Sequence, residues 1–207
     1  MTTPRTVPII EFIFDFGSPN AYLSHKVLPG IAARTGATVK LVPCLLGGIF
    51  KLTGNQAPFS AFGHIKGKLE YEQLELRRFV AKHGLSRFAH NPHFPMNTLL
   101  LMRGMVAAQR AGVAEAYLDA VLGGMWEDGR KMDDPEVVLA VLNEAGLDGR
   151  AILEATQDPE VKAELVANTE AAAACGVFGI PTYFVGTEMF FGKERLEQLE
   201  ECLTKNA

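Results

Sequence analysis

The chain has 207 residues, 48% of them hydrophobic and 21% charged, with a formal net charge of -4 and a pI near 5.8. That composition belongs to one large folded domain or two interleaved ones and excludes a disordered chain, while the mild acidity excludes a general nucleic-acid binder, which needs a clustered basic surface. Cys44, Cys175 and Cys202 lie far apart, form no C-x-x-C pair and are odd in number, which removes the zinc, dithiol and disulfide-framework signatures.

Met1 to Pro8 lacks the apolar core of a signal peptide, and no apolar run approaches membrane-spanning length. The expectation is a cytoplasmic protein with no membrane partner. Phe12, Phe14 and Phe16 alternate onto one face of a first strand, which runs through Gly17 into a helix opening Ser18-Pro19. Pro29-Gly30 should kink or interrupt that helix before it stops near Gly36, and Thr38 to Val42 alternates as a second strand, giving a right-handed, parallel β-α-β unit. The glycines and proline between Leu46 and Ser60 read as a loop.

A helix is expected from about Ile65 to His83, with Leu69, Leu76, Phe79 and Val80 inward and Gly84 as the stop. Its charges, Lys66, Lys68, Arg77, Arg78 and Lys82 interleaved with Glu70, Glu72 and Glu75, make a solvated face. A loop holding His90-Asn91-Pro92-His93-Phe94-Pro95 follows, then a helix capped by Asn97 or Thr98 and ending at Gly112. Further helices take in Tyr117 to Trp126, begin at Asp134-Pro135, Asp148 and Asp158-Pro159, and close at Gly176. Thr182 to Val185 and Met189 to Phe191 form a hairpin about Gly186-Thr187, and Lys193 to Leu203 is a last amphipathic helix.

The element order is β-α-β, a long run of helices, then β-β-α. This is an α/β, thioredoxin-like arrangement: residues 1–45 and 170–207 form the thioredoxin-like domain and residues 46–169 a large all-helical insertion.

A thioredoxin-like domain places its reactive residue at the start of the first helix and opposes it with a proline before the third strand. Ser18 and Pro181 stand there, with a cis Ile180-Pro181 bond expected and the Ile180 backbone available for strand addition. Ser18-Pro19-Asn20-Ala21 occupies the place of a C-x-x-C motif, so disulfide exchange through this site is excluded for want of sulfur. What survives is a hydroxyl beside unpaired N–H groups at the positive end of a helix, which lowers the pKa of a thiol brought by a ligand. Ser18 could also be a plain helix cap. As a hydrolase nucleophile it lacks the G-x-S-x-G elbow, and His25 on the same helix is about 10 Å away at about 1.5 Å per residue, which leaves a histidine of the 90–93 loop as the one base that could reach it in space.

His90 and His93 lack further ligands to complete a metal site, so no metal is expected. Lys51 and Asn55 sit on the glycine-rich loop, and Gly192-Lys193-Glu194 offers backbone donors, a cation and an anion able to clamp a zwitterionic amino acid. Asp15 adjoins Ser18, where an ionised carboxylate opposes a thiolate; the strand pattern turns it to the opposite face and gives it no role.

With Phe14-Asp15-Phe16-Gly17-Ser18-Pro19-Asn20-Ala21-Tyr22, Asn91-Pro92-His93-Phe94-Pro95 and Gly176-Val177-Phe178-Gly179-Ile180-Pro181-Thr182 in view, the chain resembles the 2-hydroxychromene-2-carboxylate isomerases. These are glutathione-dependent, DsbA-like relatives of kappa-class glutathione transferases. The resemblance implies glutathione as cofactor, with Ser18 facing its sulfur, Ile180 and Pro181 at its cysteinyl part, and Phe191, Gly192, Lys193 and Glu194 near its γ-glutamyl end. It implies a small aromatic carboxylate as substrate, held by Lys51 with Asn55 and His93 close by, and a homodimer. His93 stands where relatives acting on naphthalene-pathway substrates carry a tyrosine, and Phe190-Phe191 replaces a tryptophan pair; both departures fall on the substrate side. The implied reaction converts 2-hydroxychromene-2-carboxylate, or a similar conjugated acid, to a trans-o-hydroxybenzylidenepyruvate; the alternatives are a kappa-like transferase and a noncatalytic glutathione or peptide binder.

Overall fold

A computed structural model describes residues 7–205, so most of the Met1 to Pro8 stretch lies outside the described residues. β1 (Ile9–Phe14), β2 (Thr38–Pro43), β3 (Thr182–Val185) and β4 (Glu188–Phe191) form one mixed sheet in the order β2-β1-β3-β4. β1 runs parallel to β2, with Ile9 opposite Thr38, and antiparallel to β3, with Phe12 opposite Tyr183. It is one of the two inner strands, and Ile10, Phe12, Ile13 and Phe14 are all buried, as a strand covered on both faces requires. The aromatic run stacks through the core: the Phe14 and Phe16 rings meet edge-on at 4.9 Å, and the Phe12 ring stacks on Tyr183 at 5.3 Å.

α1 (Pro19–Thr35) crosses from β1 to β2. Between β2 and β3 come α2 (Leu46–Thr53), α3 (Pro58–Phe62), α4 (Lys68–His83), α5 (Leu99–Arg110), α6 (Ala114–Trp126), α7 (Pro135–Glu144), α8 (Gly149–Ala155) and α9 (Pro159–Ala174), and α10 (Leu196–Lys205) packs beside α1. The fold is therefore the thioredoxin-like α/β arrangement with a helical insertion. The caps are where the sequence puts them: Asp134, Asp148 and Asp158 accept from the N–H groups of Glu136, Ala151 and Glu160.

Three local expectations are corrected. The stretch from Leu46 to Ser60 is not a loop but holds α2 and the start of α3. Its glycines serve packing and termination: a Cβ on Gly48 would meet Thr169 of α9 at 2.9 Å, and Gly54 closes α2 at φ 72. α1 runs unbroken through Pro29-Gly30 to its cap at Gly36, because Leu28 and Ile31 on either side are buried and hold the helix to the core. The last helix opens with a separate 3₁₀ turn, Lys193–Arg195, before α10. Among the described residues no helix is long and apolar enough to cross a membrane, and no group of three or more His, Cys, Asp or Glu side chains is placed to hold a metal ion.

Candidate active site

Ser18 has extended backbone at the start of α1, and its Oγ accepts the Ala21 N–H at 3.2 Å. Pro19 fills the first helical position without an N–H, and the Asn20 N–H has no acceptor among the described residues. The Ser18 hydroxyl also donates to the Ile180 carbonyl at 3.1 Å, from a residue only 5% exposed. The hydroxyl thus has its proton and one acceptor lone pair engaged and sits between β1 and the segment before β3.

The Ile180–Pro181 bond is cis, as expected. Around it the backbone is cross-tied: the Thr182 hydroxyl donates to the Gly179 carbonyl at 2.8 Å, and the Gly192 N–H to the Pro181 carbonyl at 2.9 Å. Gly192 has φ 93, and a Cβ there would lie 2.9 Å from the Glu194 carboxylate, so only glycine fits without strain. The Phe191 ring covers Gly179 and lies 4.5 Å from the ring of Phe178, both aromatics remaining exposed. Asn55 reaches the same segment, donating its amide N–H to the Phe178 carbonyl at 2.7 Å. Ser18, Ile180, Pro181, Phe191, Gly192 and Asn55 therefore belong to one constellation.

Lys193 and Glu194 pair with each other beside it. Lys193 is 3% exposed, and its ammonium lies 5.7 Å over the ring of Phe79 on α4, while Glu194 faces solvent. A cavity of about 330 Å³ opens next to them between α1, α4 and α10, with Arg34, Arg78, Lys82 and His83 in its walls. Ser18 does not line it. Its wall charges are matched, Arg34 with Glu200, Lys82 with Glu197 and Arg78 with Glu75, so the cavity as a whole offers a balanced field. Burial, with Lys82 close by, pushes the His83 imidazole pKa down.

Lys51 is exposed on α2, a helix where the sequence suggested a loop. His93 is exposed in the loop before α5, its N–H bonded to the Asn91 side chain at 2.8 Å. No hydrogen bond or ion pair joins Lys51 or His93 to Ser18 among the described residues. The His93 loop is nevertheless pinned beside the Ser18 turn. Buried Asn91 donates to the carbonyls of Met125 and Arg130, the Phe94 ring lies 5.7 Å from Trp126, and the Trp126 indole N–H donates to the Phe16 carbonyl at 2.9 Å.

Asp15 is the residue that the sequence left without a role. It is completely buried, and its carboxyl accepts from the Gly17 N–H, the Leu46 N–H and the Thr98 hydroxyl, while its backbone carbonyl accepts the Ser18 N–H at 3.2 Å. Burial pushes its pKa above the usual carboxylate value, against the pull of the hydrogen bonds from Leu46, Gly17 and Thr98. Buried nearby, the Cys44 thiol is pushed up to about 12 by desolvation and by Asp15, so it is inert at neutral pH. The signal for Asp15 was its position: an acid between two phenylalanines that both go to the core.

The chain is similar to known proteins along nearly its whole length. A family described as DSBA-like thioredoxin domain matches residues 9–204. A 2-hydroxychromene-2-carboxylate isomerase of Pseudomonas putida is 28% identical over 197 residues, covering 94% of each chain. Human glutathione S-transferase kappa 1 is 28% identical, with 97% of this chain and 91% of that one covered. A solved structure of a 2-hydroxychromene-2-carboxylate isomerase superposes with a TM-score of 0.79 at 28% identity over 95% of each chain.

Proposed function

This chain belongs to the DSBA-like thioredoxin domain family, and from that premise we propose that it is a glutathione-dependent isomerase of 2-hydroxychromene-2-carboxylate or a similar conjugated aromatic acid. The observation that carries the reading is the Ser18 hydroxyl, set at the start of α1 against Ile180, with no cysteine at Ser18 or Ala21. A site so built activates a thiol that it does not own. Relatives named as this isomerase and as a kappa-class glutathione transferase both align along nearly the whole chain, which supports a glutathione-linked activity.

In this reading the glutathione sulfur lies against Ser18, with the free Asn20 N–H at the helix start favouring the thiolate. The Ile180 N–H, without an acceptor among the described residues, pairs with the cysteinyl carbonyl by strand addition. The γ-glutamyl end runs past Phe191 and Gly192 toward Lys193 and Glu194, where cation and anion meet a zwitterion. Lys51 holds the substrate carboxylate, and Asn55 and His93 border the aromatic ring.

Bound with its sulfur at the Ser18 hydroxyl and the Asn20 N–H, glutathione would supply a thiolate able to add reversibly to the carbon–carbon double bond of the ring-opened enone, with the electron pair held on the ketone oxygen, and to leave again once rotation gives the trans isomer, while Lys51 would keep the substrate carboxylate in place. Substrate and product have the same atoms, so glutathione is a cofactor.

Alignment with the human kappa-class enzyme favours a second reading, a transferase that keeps the C–S bond. Calorimetric titration of glutathione into wild type and Glu194→Ala tests what both readings share. Binding by wild type, weakened in the variant, is expected; no binding by wild type at millimolar glutathione eliminates both.

A further inference from the structure

The Asp15 carboxyl touches three segments that the sequence keeps far apart. Oδ1 accepts the Gly17 N–H at 2.8 Å and the Thr98 hydroxyl at 2.7 Å, and Oδ2 accepts the Leu46 N–H at 2.7 Å. Gly17 belongs to the turn that presents Ser18. Leu46 is the first residue of α2, which carries Lys51, and Thr98 stands between the His93 loop and α5.

α2 has no cap of its own, because Leu45 at its N-cap position offers no side-chain oxygen. Asp15 supplies that acceptor from the end of β1. A second tie, from the Leu45 N–H to the Thr169 hydroxyl oxygen at 3.0 Å, fixes α2 to α9 but does not reach the Ser18 turn. Asp15 is therefore the side chain, among the described residues, that hydrogen-bonds both the turn presenting Ser18 and the helix presenting Lys51.

We propose that Asp15 is a positioning residue that sets the separation between a thiol held at Ser18 and an aromatic carboxylate held at Lys51. The proposal rests on the functional reading given above. Lys51 lies about 7.5 Å along α2 from Leu46, at about 1.5 Å per residue, so a shift at the start of the helix carries Lys51 with it. Attack requires the reacting atoms at about 3 to 3.5 Å, and a misplacement of about 1 Å costs about a hundredfold in rate.

The test pairs Leu46→Pro with Leu46→Ala. Both remove the leucine side chain, and only proline removes the N–H that Asp15 accepts. Proline is tolerated at a first helical position, and Leu45, at φ -85 and ψ 112, already has the backbone that a following proline requires. Relative to Leu46→Ala, Leu46→Pro is expected to lower kcat/KM for the aromatic acid about tenfold, with the glutathione Kd changed less than about twofold. Asp15→Asn is the second variant, since in either amide orientation an N–H₂ group faces one of the two backbone N–H donors; it is expected to lower the same kcat/KM about tenfold.

Equal kinetics for Leu46→Pro and Leu46→Ala, or a rise in glutathione Kd that matches the fall in kcat/KM, overturns the positioning role. If Leu46→Pro does not fold, an unchanged kcat/KM in Asp15→Asn overturns it. A wild type that binds no glutathione overturns the functional reading instead, and the positioning role with it.

Discussion

The Ser18 hydroxyl and the Ile180 carbonyl are joined by a 3.1 Å hydrogen bond that closes the two ends of the chain onto each other. The hydroxyl proton therefore starts out on a neutral acceptor. Under the proposed function a bound thiolate would have to take it over, and the energetics favour that: a hydrogen bond to a charged group contributes about 1.5 to 3 kcal/mol, against about 0.5 to 1.5 for a neutral pair. The exchange would lower the thiol pKa and free the Ile180 carbonyl to face the ligand backbone.

Replacing Ser18 by alanine removes a helix cap as well as the Ile180 bond. Denaturant unfolding of Ser18→Ala is expected to show a loss of about 1 to 2 kcal/mol. The catalytic effect should be much larger, about a hundredfold in kcat, as for removal of one donor to a developing anion. Ser18→Thr keeps the hydroxyl and should keep most of the rate; an unchanged kcat in Ser18→Ala, with only stability lost, would mean that the hydroxyl does no more than cap the helix.

Asp15 gives a signed pH dependence. Burial raises its pKa in the folded chain above the unfolded value of 3.8, so between the two values the folded chain holds a proton that the unfolded chain has released. Stability from this group is complete below that value and falls as pH rises through the folded pKa. The stability difference between wild type and Asp15→Asn, measured by urea unfolding at stepped pH, should be greatest near about pH 4 and shrink toward neutrality. A difference that grows with pH contradicts the assignment.

Lys51 is exposed and makes no ion pair among the described residues, so its removal should leave the fold intact. Lys51→Ala is expected to raise KM for the aromatic acid about tenfold, about 1.4 kcal/mol of lost binding, without altering glutathione affinity. Steady-state kinetics at saturating glutathione separates the two. An unchanged KM places the substrate carboxylate elsewhere.

Gly192 holds the backbone between β4 and the 3₁₀ turn at φ 93 while donating to the Pro181 carbonyl. Gly192→Ala combines a left-handed non-glycine residue with a Cβ 2.9 Å from the Glu194 carboxylate. A loss of about 1 to 3 kcal/mol in unfolding free energy is expected, together with weaker glutathione binding. Wild-type affinity in this variant would place the γ-glutamyl end away from Gly192.

The strands, the parallel β1–β2 pair, the β3–β4 hairpin and the capped helices were legible because they rest on short-range chemistry: alternating phenylalanines, Asp-Pro helix starts and the Gly186-Thr187 turn. The Ser18 and Pro181 halves of the site could be paired from the element order alone. Three things were hidden. The glycines of α2 look like loop residues until Thr169, far along the chain, is seen packed against Gly48. Asp15 looks misplaced until Leu46 and Thr98 arrive to satisfy it, a long-range relationship that no periodicity encodes. Lys193 likewise reads as a free cation in sequence, yet it is buried against Phe79 and bonded to Glu194.

The most direct measurement follows 2-hydroxychromene-2-carboxylate with the wild-type enzyme and glutathione far below the substrate concentration, counting free thiol before and after. The account expects many turnovers to the trans-benzylidenepyruvate per glutathione, no turnover without glutathione, and all of the thiol recovered. Turnover undiminished without glutathione, or thiol consumed in step with substrate, would contradict it.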